Sequence, residues 1–222
     1  MKLSDATKEI LKNFSEINPN LMITPGREIK TISTMKNILA TAGVEENFPQ
    51  EIAIYDLSEF LGMLSLFNKP SFAFDDKSMT INEEGTSTKS KYYFADPSIL
   101  TTPQKDVKMP ATEVEFTLTE TDLSKTKKAA AMLQLPDISI KSVDGDIIMS
   151  AIDKKNDTAN TYGVKVGTTD KKFDFHFKTE HFKMLPGDYN VHISSKLISN
   201  FRHKTKTIQY WIALENTSKY EG

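Results

Sequence analysis

The chain has 222 residues, 38% hydrophobic and 26% charged, enough to bury one large core or two small ones of roughly 110 residues each. It has no cysteine, which excludes disulfides, thiolate nucleophiles, iron–sulfur clusters and the common structural zinc sites. Its 28 Lys and Arg against 30 Asp and Glu give a net charge of −2, so a nucleic-acid partner requires the charge to be segregated. No run approaches the ~20 apolar residues of a membrane span, and Met1-Lys2-Leu3-Ser4-Asp5 lacks the layout of a secretion signal. A soluble, intracellular protein with no membrane partner is the expectation.

The first element reads as a helix over residues 4–18, where Leu3, Ile10, Leu11, Phe14 and Ile17 form one apolar stripe. Ser4 or Asp5 caps it and Pro19 helps to stop it. Lys8 and Lys12 project from the opposite side, with Ser15 beside them. Residues 21–23 and 28–34 read as extended segments around a Pro25-Gly26 turn, and the polar stretch 34–49 as a loop. A strand over 51–56 leads into a short helix over 57–64, and 72–74, 79–81 and 91–94 read as short strands. Residues 96–110 carry Pro97, Pro103 and Pro110 and make the best linker, dividing the chain into domains 1–95 and 111–222.

The order of elements then repeats. A strand over 113–118 precedes a helix over 120–134, whose buried side is read as Leu123, Thr126, Ala130 and Leu133. Lys128 then points nearly opposite, and Lys125 and Lys127 flank the polar face. Strands over 138–143 and 147–152 form a hairpin about Asp144-Gly145, and 161–166 adds another strand. The alternating run 173–177 enters a short helix over 179–185, closed by Pro186-Gly187, and a final strand over 207–214 ends in a polar tail. A shift of 121 positions aligns Glu59 with Glu180, Leu61 with Phe182, Met63 with Met184 and Leu64 with Leu185, which points to a duplicated β-rich domain.

Catalytic signatures are missing: there is no Gly-rich phosphate loop, no His-Glu-x-x-His helix and no nucleophile elbow. His176, His181, His192 and His203 have no metal-ligand spacing, and Asp56 with Glu59 reads as a pair of acids at a helix N-terminus rather than an acid–base couple. The expectation is a protein that is not an enzyme and has no catalytic residues, metal or cofactor. Tyr92, Tyr93, Phe94, Phe175 and Phe177 suit stacking on single-stranded bases, but they sit in alternating strands where half must be core. A non-enzymatic β-rich structural or assembly protein, such as one of a virion, is the alternative reading.

One further pattern spans nearly the whole chain. Lys2-Leu3-Ser4, Leu11-Lys12-Asn13-Phe14 with Ile17-Asn18, Ala53-Ile54-Tyr55-Asp56-Leu57, Phe60-Leu61-Gly62, Leu64-Ser65-Leu66, Ala95-Asp96-Pro97-Ser98, and Met184 with Pro186-Gly187 occur in one order and at near-equal spacing. In these residues the chain resembles the T4-type bacteriophage sliding clamps. The resemblance implies an α+β protein of two similar βαβββ-type clamp domains, three copies of which close into a ring with helices inside and sheets outside. It implies double-stranded DNA, bound without sequence preference, and DNA polymerase as partners. It also implies a clamp-loader ATPase that places the ring on DNA, a link to late-transcription factors, and residence in the cytoplasm of the infected bacterial host. Residues 34–49 and 83–90 depart from the pattern and receive no role. Given this resemblance, Lys8, Lys12, Lys125, Lys127, Lys128 and Lys183 are the expected DNA-facing residues, with Lys178 and His181 weaker. Acidic residues such as Asp75, Asp76, Glu83 and Glu84 are then expected outside. Clamps of this kind accept partner peptides in an apolar pocket, for which Ile99, Leu100 and Leu214 are the candidates.

Overall fold

The computed structural model describes all residues, 1–222, and divides into two compact units, Met1–Lys105 and Asp106–Gly222. In the first unit, helix α1 (Asp5–Ile17) starts where the Ser4 side chain accepts the Thr7 amide at 3.2 Å. Ile10, Leu11, Phe14 and Ile17 are buried, and this face packs against strands β2 (Gly26–Ile32) and β3 (Ile38–Phe48) and helix α2 (Leu57–Leu64). Strand β1 (Leu21–Ile23) pairs antiparallel with β4 (Ile52–Ile54), and β2 pairs with β3. Helix α2 is capped by Asp56, whose carboxylate accepts the Glu59 amide at 2.9 Å. It leads into a meander of β5 (Pro70–Asp75), β6 (Ser78–Glu83) and β7 (Lys89–Tyr93), on which Phe60 meets Tyr92 edge-on at 5.1 Å.

The second unit begins with β8 (Val114–Leu118) and helix α3 (Glu120–Met132), then β9 (Asp137–Val143), β10 (Asp146–Ile152), β11 (Tyr162–Thr168) and β12 (Phe173–Lys178). The β9–β10 turn places Asp144 and Gly145 at φ 50° and 85°, the two left-handed residues of a two-residue hairpin turn. Strands β13 (Tyr189–Ser194), β14 (Ile198–His203) and β15 (Ile208–Ala213) form the second meander, with β8 on the far edge of β13. A two-residue strand, β16 (Lys219–Tyr220), completes a five-stranded sheet in the order β11-β10-β9-β12-β16. Helix α3 packs on β10 and β11, and Phe177, Phe182 and Phe201 meet edge-on in the core at 5.6, 6.4 and 5.7 Å.

The two topologies correspond from the long helix through the three-stranded meander. Strand β12 pairs with β9 as β4 pairs with β1, and each leads through a helical turn into a three-stranded meander. Strand β8 flanks β13 as Met1 flanks β5: the Met1 amine donates to Phe72 O at 2.9 Å, and Met1 O accepts from Phe72 N at 2.7 Å.

Four sequence expectations change. The loop expected over 34–49 is mostly the 11-residue strand β3; its Ala, Gly, Glu and Asn content hides it, and the burial of Ile38, Leu39, Ala40 and Ala42 decides it. The helix expected over 179–185 is only a 3-10 turn, Thr179–His181. Phe182, Met184 and Leu185 are all buried. The Tyr210 hydroxyl instead accepts the Leu185 amide at 3.1 Å, and the Tyr189 hydroxyl donates to Leu185 O at 2.6 Å. Helix α3 stops at Met132, so Leu133, expected inside, is 40% exposed, and Leu135 is buried beyond a left-handed Gln134 at φ 55°. Strands β13 and β14 had no reading in the sequence, and the polar tail contains β16.

Candidate nucleic-acid interface

Helix α1 presents Lys8 and Lys12 one turn apart on the side away from its buried stripe. Lys8 pairs with Asp5 at 3.0 Å, an exposed contact worth a few tenths of a kcal/mol, roughly. Lys12 is exposed and makes no ion pair; the Ser15 hydroxyl beside it donates to Lys12 O at 2.7 Å. The two lysines line an open trough whose other wall is α2, through Ser58, Leu61, Gly62 and Ser65.

Helix α3 is capped by Thr119, whose hydroxyl accepts the Asp122 amide at 3.1 Å, and Glu120 and Asp122 sit in its first turn where the helix dipole favours them. With Leu123, Thr126 and Ala130 turned into the core, Lys125 and Lys128 are exposed and unpaired. Lys127 and Lys183 are half-buried and have partners. The structure therefore gathers Lys8 with Lys12, and Lys125 with Lys128, while Lys183 lies apart on the segment after the 3-10 turn.

Of the two weaker candidates, one is bonded to a buried carboxylate and the other is buried. Lys178 donates to Asp137 at 2.6 Å, and that bond holds its amine above the usual lysine range. His181 is buried, and burial pushes its imidazole below the ordinary histidine value, toward the neutral form. Asp75, Asp76 and Glu84 are exposed and Glu83 is half-buried; Glu84 pairs with Lys2 at 2.7 Å. Of the peptide-pocket candidates, Ile99 is 57% exposed, Leu100 is half-buried, and Leu214 is buried with its amide bonded to Leu197 O at 3.0 Å.

Two carboxylates escaped sequence reading. Glu46 is buried on β3 and accepts hydrogen bonds from the Ser4 amide and the Thr7 hydroxyl. Asp137 is 1% exposed and holds both Lys178 and Lys154, at 2.6 and 3.7 Å. Neither has a local sequence signal, since their partners lie 17 to 42 residues away.

A duplicated α+β chain, each half with a long helix carrying exposed lysines, has the architecture of the DNA-clamp fold. Residues 2–101 match the family described as DNA polymerase processivity factor, and 115–216 match the gp45 sliding clamp, C terminal. The chain is 35% identical to the sliding clamp of Vibrio phage KVP40, over 97% of this chain and 99% of that protein. It is 30% identical to the sliding clamp of Enterobacteria phage T4 over 100% of both. Among solved structures, the Proliferating Cellular Nuclear Antigen of Entamoeba histolytica matches with a TM-score of 0.71 at 13% identity, covering 96% of this chain and 97% of that one. A PCNA2–PCNA3 complex from Sulfolobus tokodaii matches at 0.68 and 14%, covering 97% and 99%. These two likenesses show the fold. The chain belongs to the phage sliding-clamp family, and its role is that of a DNA polymerase processivity factor.

Proposed function

We propose that three copies of this chain join head to tail into a closed ring around duplex DNA and tether the replicative polymerase without catalysing a reaction. The observation that carries the reading is the pair of exposed lysine faces: Lys12 on α1, and Lys125 and Lys128 on α3, are free of ion pairs in a chain of net charge −2. Amines on helix faces neutralise phosphates without reading bases, which suits sliding. The enclosed duplex cannot leave sideways, and a bound polymerase stays at high effective concentration near its template. In this reading a loader ATPase opens the ring, late-transcription factors share its surface, Ile99 and Leu100 edge the partner-peptide site, and the protein works in the cytoplasm of the infected bacterium.

The test separates encirclement from ordinary binding. Loaded by its loader and ATP onto nicked circular DNA, the protein is expected to survive a moderate-salt wash and to leave when the circle is linearised. Binding through phosphate contacts alone falls on the order of a thousandfold between low and moderate salt. Equal retention on linear and circular DNA, with the same salt dependence on both, would overturn the reading.

A further inference from the structure

The final strand of the chain has no counterpart in the first unit. In both units the chain leaves its meander and crosses the outer edge of the strand before the second helical turn. Ala95 N–H donates to Ala53 O on β4 at 3.0 Å, and Glu215 N–H donates to His176 O on β12 at 2.8 Å. In the first unit the chain turns away at once, because Asp96 accepts the Ser98 amide at 2.9 Å and Pro97 opens a 3-10 turn. In the second it follows the edge to its end. The Ser218 hydroxyl accepts the His176 amide and the Thr217 hydroxyl meets His176 Nδ1, both at 2.9 Å. Lys219 then pairs with Asp174 and Tyr220 with Phe173, the Tyr220 ring lies parallel to Phe175 at 6.4 Å, and Glu221 N–H donates to Lys172 O at 2.9 Å.

The segment supplies one of the carboxylates that face the amines beneath it. Lys178 and Lys154 stand 2.6 and 3.7 Å from the buried Asp137, and the same amines lie 3.9 and 3.3 Å from Glu215. Lifting the segment leaves two amines facing one carboxylate, an open strand edge, and an uncovered phenyl face. Those three features define the chemistry of an occupant: an extended segment, a carboxylate at one end, and an aromatic ring five residues on. The present occupant is held by two ladder pairs, by the backbone bonds of Glu215 and Glu221 and by the two His176 contacts, with Asn216, Thr217 and Lys219 exposed, so a segment that displaces it must reproduce those bonds.

We propose that the outer edge of β12 is a peptide-docking edge that residues 215–222 hold closed, and that an extended partner segment with a carboxylate five residues before an aromatic ring takes their place by strand addition. The covalently attached segment competes at high effective concentration, so docking is governed by how firmly it sits. This inference concerns one edge within one unit and stands independently of ring closure.

The probe is a fluorescent synthetic peptide with the sequence of residues 214–222. Against the full chain carrying Tyr220→Ala, it is expected to bind at least tenfold more tightly than against the parent, and a peptide with Gln in place of Glu215 is expected to lose at least tenfold. Equal affinity for parent and variant, or for both peptides, overturns the proposal. Should the variant not fold, the parent decides: excess peptide must speed hydrogen exchange of the Glu221 amide, and an unchanged rate overturns it.

Discussion

Removing the Glu46 carboxylate tests how the lysine-bearing helix of the first unit is anchored. Ser4 accepts the Thr7 amide, which is half of a capping box; the other half needs a Glu or Gln at position 7 to reach back to the Ser4 amide. Thr7 is too short, and Glu46 reaches across from β3 to take both the Ser4 amide and the Thr7 hydroxyl. Hydrogen bonds to a charged group contribute about 1.5–3 kcal/mol each, and burying the carboxylate offsets part of the two. Glu46→Ala is therefore expected to cost about 2–3 kcal/mol, a fall in Tm of about 5–10 °C for a chain of this size.

The pH dependence gives the sharper check. Burial raises the Glu46 pKa, but the hydrogen bonds from Thr7 and Ser4 outweigh it and hold the carboxyl below its ordinary value. A depressed folded-state pKa means stability that is full above the unfolded value and lost as pH falls through the folded one. Glu46→Gln keeps the shape and removes the titration. In urea unfolding followed from pH 7 downward, the parent's advantage over Glu46→Gln is expected to shrink once the pH drops below about 4.5 and to vanish at the acid end. A gap between the two proteins that stays constant with pH would refute the anchoring argument.

Three other outcomes follow from the structure. Gly187→Ala places a Cβ 2.1 Å from His203 Nε2 at a backbone φ of 142°, so a loss of more than about 2 kcal/mol is expected in thermal melts, whereas Gly62→Ala in α2 meets nothing within 4 Å and should gain about 0.5–1 kcal/mol. Asp137→Ala leaves Lys178 beside an empty buried site and is expected to cost about 3 kcal/mol or more by urea unfolding, with Asp137→Asn losing less. Lys12→Ala, Lys125→Ala and Lys128→Ala combined should weaken low-salt DNA association severalfold while changing stability by no more than about 0.5 kcal/mol per site, read by a salt titration and a melt on the same preparation.

Periodic and alternating segments were legible in the sequence. The α1 stripe, α2, the Asp144-Gly145 hairpin and the run from Phe173 to Phe177 stand where the pattern puts them, because local burial alone fixes them. What stayed hidden depends on distant partners. Strand β3 mixes Ala, Gly, Glu and Asn with Ile, Leu, Thr, Val and Phe without clean alternation, and its neighbours make it a strand. Of the candidate lysines, spacing alone separated outward Lys12, Lys125 and Lys128 from the core face. It could not reveal that Lys178 serves the buried Asp137, because that carboxylate lies 41 residues earlier in the chain.

The divergence of the two halves at their second helical turn shows the same dependence on partners. Leu64 and Leu185 stand at matching places and are both 6% exposed. In the second unit two tyrosine hydroxyls satisfy the backbone of Leu185 outside any helix, and Phe182 and Met184 are buried as well. At the positions 121 residues before Tyr189 and Tyr210 the first unit has Asn68 and Lys89, neither of which places a phenol hydroxyl in the core. There the helix persists over Leu57–Leu64, with the Leu57 amide taken by Pro19 O and the Glu59 amide by the Asp56 carboxylate. That helix gives Lys8 and Lys12 a second wall, so the first unit offers a lysine-lined trough while the second offers the exposed Lys125 and Lys128 of α3.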